Sequence, residues 1–123
     1  MRILIVDDDQ GFRVFIRRVL EREEEWRIVG EALDGEEAVR KTQKFQPDLV
    51  LMDMDLPGIN GLEATRRVKA AFPRIVVIMF SAWEGSAYRE AAARSGADEF
   101  LHKLEPLSKM LATIRKLSPR KAA

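Results

Sequence analysis

The sequence predicts an α/β domain, a parallel sheet with helices on both faces. Three observations predict it. Short apolar runs recur at residues 3–6, 28–33, 49–52, 75–80 and 99–101 of the 123-residue chain. Helical-period patterns fill the gaps between these runs and follow the last one, and such β-α alternation implies parallel strands joined by crossover helices. The runs at 3–6, 49–52 and 75–80 are almost wholly apolar, as expected of strands covered on both faces.

The elements follow in order. The first strand, Ile-Leu-Ile-Val at 3–6, leads to a helix whose stripe is Phe12, Phe15, Ile16, Val19 and Leu20, at helical spacing. The second run carries Gly30 and Glu31, which suits a sheet edge. Asp34 and Glu37 then read as a capping box opening a helix that turns Ala38, Thr42 and Phe45 inward. After the third strand comes a weaker stripe of Leu62, Thr65, Val68 and Phe72. A fourth strand precedes an alanine-rich helix with Ala87, Ala91, Ala92 and Ala93, which Gly96 is placed to end in a left-handed cap. The fifth run is short and acidic at its start, again an edge pattern. Pro106 suits the first turn of a last helix that buries Leu107, Met110, Leu111, Ile114 and Leu117. One domain is expected over 1–118, with a flexible tail over 119–123.

Composition narrows the function. Hydrophobic residues make up 46% of the chain, enough for one core without staples. With no cysteine, disulfides and thiolate metal sites are excluded, and a reducing cytoplasm is the expected compartment. The formal charge of +1, from 21 basic and 20 acidic residues, offers no global attraction to nucleic acid or to an anionic membrane. The longest apolar run, 75–80, is far too short to span a bilayer, and Asp7, Asp8 and Asp9 end the apolar start too early for a secretory signal.

In open α/β sheets, ligands bind beyond the carboxyl ends of the strands. The first strand delivers Asp7 and Asp8 there, the third Asp53, the fourth Ser81 and the fifth Lys103. Each alone is an ordinary loop residue; their convergence from four strands is the informative feature. Neighbouring carboxylates repel, and a hard divalent cation such as Mg2+ resolves the conflict with oxygen ligands. A carboxylate beside that ion can attack a phosphoryl group, while the cation and Lys103 neutralise phosphoryl oxygens and the Ser81 hydroxyl hydrogen-bonds one of them.

Four segments carry a family resemblance: Ile-Leu-Ile-Val-Asp-Asp-Asp at 3–9; Pro-Asp-Leu-Val-Leu-Met-Asp-Met-Asp-Leu-Pro-Gly-Ile-Asn-Gly at 47–61; Ser81-Ala82; and Gly-Ala-Asp-Glu-Phe-Leu-His-Lys at 96–103. In order and spacing the chain resembles, over essentially its full length, the receiver domains of response regulators in two-component signalling. The resemblance implies a flavodoxin-like (βα)5 fold with strand order 2-1-3-4-5. It implies Asp53 as phosphoacceptor and Asp7 and Asp8 as the acidic pair holding Mg2+ with it, the Asp55 backbone carbonyl completing the metal shell. Ser81 matches the switch hydroxyl, Lys103 the phosphate-contacting lysine, and Phe100 the aromatic switch residue that moves inward on activation. A surface around Tyr88, Arg94 and Phe100 would then change shape. The implied role is a switch that assists its own phosphorylation and slow dephosphorylation without being an enzyme. Its implied partners are a sensor histidine kinase or phosphotransfer protein and a downstream protein or output domain. A phosphorylation-dependent dimer is compatible with this; nucleic acid and membrane are not expected as direct partners.

There are departures. The family often has a cis proline after the lysine, whereas Leu104 stands here and Pro106 comes later. A cis bond before leucine is expensive, and the sequence leaves its geometry open. In this the chain is similar to receivers of LuxR-type transcription factors. Phe100 replaces the commoner tyrosine. Trp83 is read two ways, as bulk that slows dephosphorylation or as surface packing. Rival functions are a phosphohydrolase of the haloacid-dehalogenase type, suggested by Asp53-Met54-Asp55, a receiver-like binding module that is not phosphorylated, and, from fold alone, a flavodoxin. The sequence fits either a stand-alone receiver or the receiver of a longer regulator.

Overall fold

A computed structural model describes residues 1–118; the expected tail at 119–123 lies outside the described residues. Ten elements alternate: β1 Arg2–Val6, α1 Gln10–Leu20, β2 Arg27–Ala32, α2 Gly35–Phe45, β3 Leu49–Asp53, α3 Gly61–Ala71, β4 Val76–Ser81, α4 Ser86–Ser95, β5 Glu99–His102 and α5 Leu107–Leu117. The sheet is parallel in the order β2-β1-β3-β4-β5, so the two polar runs are its edges, as expected. Gly30 marks an irregularity where Ile3 pairs with Ile28 but Leu4 with Gly30. A β-carbon at Gly30 would meet the Phe45 ring at 3.1 Å and Leu4 at 3.3 Å.

Strand alternation sends side chains to opposite faces. Ile3, Ile5, Leu49, Leu51, Ile78, Phe80 and Leu101 pack with Ile16 and Leu20 of α1 and Met110 and Ile114 of α5. Leu4, Val6, Val50, Met52 and Val77 pack on the other face with Ala38, Ala64 and Val68. A third group, Met54, Met79, Ala92 and Phe100, lies under α4. That helix buries only Ala92 and Ser95.

Helix ends follow local chemistry. The Asp9 side chain accepts from the N–H groups of Gly11 and Phe12. Asp34 accepts from Glu37 N–H at 2.8 Å, while Glu37 reaches back to Leu33 N–H rather than to that of Asp34. Asn60 accepts from Glu63 N–H. Gly96, at φ +102°, supplies the expected left-handed cap.

Two expectations fail locally. Phe15, placed in the apolar stripe of α1, is 52% exposed, because it falls at the stripe's margin while Ile16 and Leu20 take the buried positions. Pro106, expected inside the first turn, caps α5 from outside it at ψ 141°, an extended backbone. Glycine at 61 has a more consequential role. A β-carbon there would fall 2.1 Å from the Asp53 carbonyl oxygen, so α3 starts in backbone contact with the end of β3. Gly35 does the same for α2, where a β-carbon would meet the Ile59 carbonyl at 2.2 Å.

Candidate functional site

The carboxyl ends of the strands bring the predicted residues together. Asp7 follows β1, Asp53 ends β3, Ser81 ends β4, and Lys103 follows β5. Asp7 and Asp53 are buried, and Asp8 is exposed at the rim. One carboxylate oxygen from each of Asp7, Asp8 and Asp53 lies within 4.8 Å of the others. Lys103 Nζ donates to Asp7 Oδ2 at 2.7 Å and stands 3.5 Å from Asp53 Oδ2.

Backbone groups orient these carboxylates. Asp55 N–H donates to Asp53 Oδ1 at 3.2 Å, and Asp9 N–H donates to Asp7 Oδ1 at 2.9 Å. Arg13 Nη1 donates to the Asp7 carbonyl at 2.7 Å, and its Nε to Glu31 at 3.0 Å, tying the β1–α1 loop to β2. Ser81 is fully buried, and its Oγ accepts from Trp83 N–H at 2.9 Å. Trp83 itself is 58% exposed.

The electrostatics are unbalanced. Burial, then the neighbouring Asp7, push the Asp53 carboxyl up to about 7, against the opposing pull of Lys103. Burial alone would lower the Lys103 ammonium, but the Asp7 hydrogen bond and the Asp53 charge outweigh it and hold it above its ordinary value. Three carboxylates facing one ammonium form an all-oxygen donor set with excess negative charge, which suits a hard divalent cation.

Phe100 sits elsewhere. Its ring is already inward, 5% exposed against Met54, Met79 and Ala92, with the Arg89 guanidinium 5.2 Å above it. It does not line the surface expected around Tyr88 and Arg94; Arg89 covers it. The Lys103–Leu104 peptide is trans, as no cis bond occurs among the described residues. Sequence reading missed two neighbours of Lys103. The Phe12 ring, in the apolar stripe of α1, lies 4.6 Å from its ammonium, a cation–π contact. The His102 ring spans two loops beside it. Nothing in the local sequence of either residue marks these roles.

The model of the response regulator receiver domain matches residues 3–115. The chain belongs to this family. The receiver is 37% identical over 103 residues to the transcriptional regulatory protein DegU of Brevibacillus brevis, covering 84% of this chain and 44% of that protein. It is similar to the crystal structure of a LuxR-family two-component response regulator from Aurantimonas, with a TM-score of 0.90 at 34% identity, covering 94% of this chain and 83% of that one. A CheX-CheY complex with BeF3 and magnesium from Borrelia burgdorferi matches at a TM-score of 0.85 and 28% identity, over 95% of this chain and 88% of that one. The chain spans about half the length of the curated relatives it matches, at 44% of DegU and 54% of GacA from Pseudomonas viridiflava. It is thus a receiver domain of two-component response regulators. The phosphohydrolase and flavodoxin readings find no support. No helix among the described residues is long and apolar enough to cross a membrane.

Proposed function

We propose that Asp53 accepts a phosphoryl group and that this charge change switches the domain's affinity for a partner. The observation that carries the reading is the cluster of Asp7, Asp8 and Asp53, with Lys103 Nζ 3.5 Å from the Asp53 oxygen. Asp7, Asp8 and Asp53, with the Asp55 carbonyl, would hold Mg2+, as the magnesium in the Borrelia relative's structure also suggests. Bound there, the ion supplies positive charge that favours the ionised carboxylates and offsets charge on phosphoryl oxygens.

In the reaction, an ionised Asp53 oxygen forms a bond to phosphorus. The bond from phosphorus to the donor nitrogen of a phosphohistidine, or to the leaving oxygen of acetyl phosphate, breaks, and its electron pair leaves with the donor. Lys103 pairs with a phosphoryl oxygen. Ser81 Oγ already accepts from Trp83 N–H, which leaves its own O–H to donate to another. The phosphoryl group is the donor's; the receiver supplies acceptor and site and is not itself classed as an enzyme.

Ser81 and Phe100 are the residues proposed to relay the change to α4, which buries only Ala92 and Ser95. A sensor histidine kinase or phosphotransfer protein is the proposed donor, and a downstream protein or output domain the proposed reader. Cytoplasmic location follows from the same reading. Labelling with acetyl phosphate and Mg2+, with the modified residue mapped, tests it. One hydroxylamine-sensitive phosphoryl group on Asp53 is expected. No label, or a label on another residue, rejects Asp53 as the acceptor.

A further inference from the structure

Ser81 and Lys103 have roles in the proposed chemistry, but the histidine beside Lys103 has none. His102 is the single histidine of the chain, and only 9% of it is exposed. It ends β5, where it pairs with Ser81 at the last rung of the β4–β5 ladder. One more backbone bond lies beyond, from Lys103 N–H to the Ser81 carbonyl at 2.8 Å. There the regular pairing stops. The next carbonyl along, that of Ala82, has the imidazole Nε2 at 2.9 Å. On the ring's other side, Leu104 N–H donates to Nδ1 at 3.3 Å.

The partners fix the tautomer. An amide N–H only donates and a carbonyl only accepts, so Nδ1 is bare and Nε2 carries the proton. The neutral ring therefore adds one side-chain rung to the ladder and also ties down the turn after Lys103. The Leu104 side chain is 86% exposed and does not anchor that turn. Glu105 braces the turn's shape, accepting from His102 N–H and donating its own N–H to the His102 carbonyl, each at 3.0 Å. Those bonds stay within the turn and do not reach Ala82. Glu84 Oε1 lies 3.8 Å from Nδ1, beyond hydrogen-bond length, on a side chain that is 71% exposed.

We infer that His102 is a positioning residue for phosphoryl transfer at Asp53. Its ring locks the loop that follows Ser81 to the turn that follows Lys103, so that hydroxyl and ammonium meet the transferred group at a fixed separation. The inference rests on the Asp53 reading. Its physical basis is that catalytic groups displaced by about 1 Å can lose on the order of a hundredfold in rate.

The test compares wild type with three variants in acetyl phosphate and saturating Mg2+. His102→Gln keeps an N–H for the Ala82 carbonyl, His102→Asn keeps an acceptor for Leu104 N–H, and His102→Leu keeps neither. Labelling of His102→Leu should fall by about ten- to a hundredfold. Its half-saturating Mg2+ concentration, read from tryptophan fluorescence, should stay within about twofold of wild type, because the metal carboxylates lie on other strands. His102→Gln should recover most of the rate, and His102→Asn less. Wild-type labelling of His102→Leu would overturn the inference, as would equal losses in the Gln and Leu variants. If His102→Leu does not fold, the Gln and Asn variants decide alone, and equal rates for those two overturn it. Failure of wild type itself to label on Asp53 would instead sink the phosphoacceptor reading.

Discussion

The two ends of the sheet use the same residue type in opposite ways. At the amino ends of the strands, each aspartate is answered. Asp48 Oδ2 accepts from Arg2 N–H at 2.8 Å. Asp98 Oδ2 accepts from Val77 N–H at 2.8 Å and from Lys69 Nζ at 2.9 Å, and Lys69 also donates to the Ile75 carbonyl. These carboxylates stitch β1 to β3 and β4 to β5. At the carboxyl ends, Asp7 and Asp53 share one lysine, and Asp53 is pushed up to about 7. One end is satisfied and holds the fold together. The other is left in electrostatic conflict, which a divalent cation bound there would relieve. The lesson is that binding capacity here is stored as unsatisfied charge, at some cost in stability.

Breaking that contrast at its most strained point should have the largest effect. Asp53→Asn removes the proposed nucleophile, and acetyl phosphate labelling should fall by more than about a hundredfold. Without divalent ions the same variant should gain stability at pH 8, by about 1–2 kcal/mol in a thermal or denaturant melt, because the buried charge and its repulsion with Asp7 go while the Lys103–Asp7 bond stays. A loss at pH 8 would place the conflict elsewhere. Lys103→Arg keeps the charge but replaces a compact ammonium with a planar fork, and should slow labelling by about tenfold or more with little change in melting.

The pH dependence sharpens the comparison further. The folded Asp53 carboxyl titrates at about 7 against an ordinary value of 3.8, so the folded state binds the extra proton between those limits. Stability in EDTA should therefore fall as pH rises from about 4 to about 7 and level off above. Asp53→Asn should flatten this part of the profile; an equal slope in both proteins would contradict the assignment. At the satisfied end the signs reverse. Asp98→Ala leaves the buried Val77 N–H without its carboxylate and should cost about 1–3 kcal/mol of stability in a denaturant melt, with labelling of the folded fraction unchanged. Smallest is Gln46→Gly at the α2 cap, where φ is +44°. Glycine accepts that left-handed backbone freely, and a gain of about 0.5–1 kcal/mol in the same melt is expected.

Much of this was legible in the sequence, for definite reasons. The meeting of Asp7, Asp8, Asp53, Ser81 and Lys103 follows from which residues end which strands; the strand order comes from the family resemblance, which those fixed-spacing motifs carry. Asp48 and Asp98 look no different from Asp7 in composition; their position before a strand rather than after it separates a stitch from a site. Phe15 and Phe12 show the limit of periodicity. Both fit the stripe of α1, yet one faces solvent and the other meets Lys103 across the fold, and spacing along one helix does not encode what stands opposite it. The inward ring of Phe100 and the reach of His102 to Ala82, 20 residues away, likewise depend on how loops approach one another.

The bare backbone contact at Gly61 has a mechanical consequence. No side chain cushions the start of α3 from the Asp53 carbonyl, and none cushions α2 from the Ile59 carbonyl in the β3–α3 loop. Two helices and the β3–α3 loop thus sit in direct backbone contact with the peptide unit of Asp53 or with one another. A methyl group added at 61 would collide with that carbonyl and wedge α3 away from the end of β3.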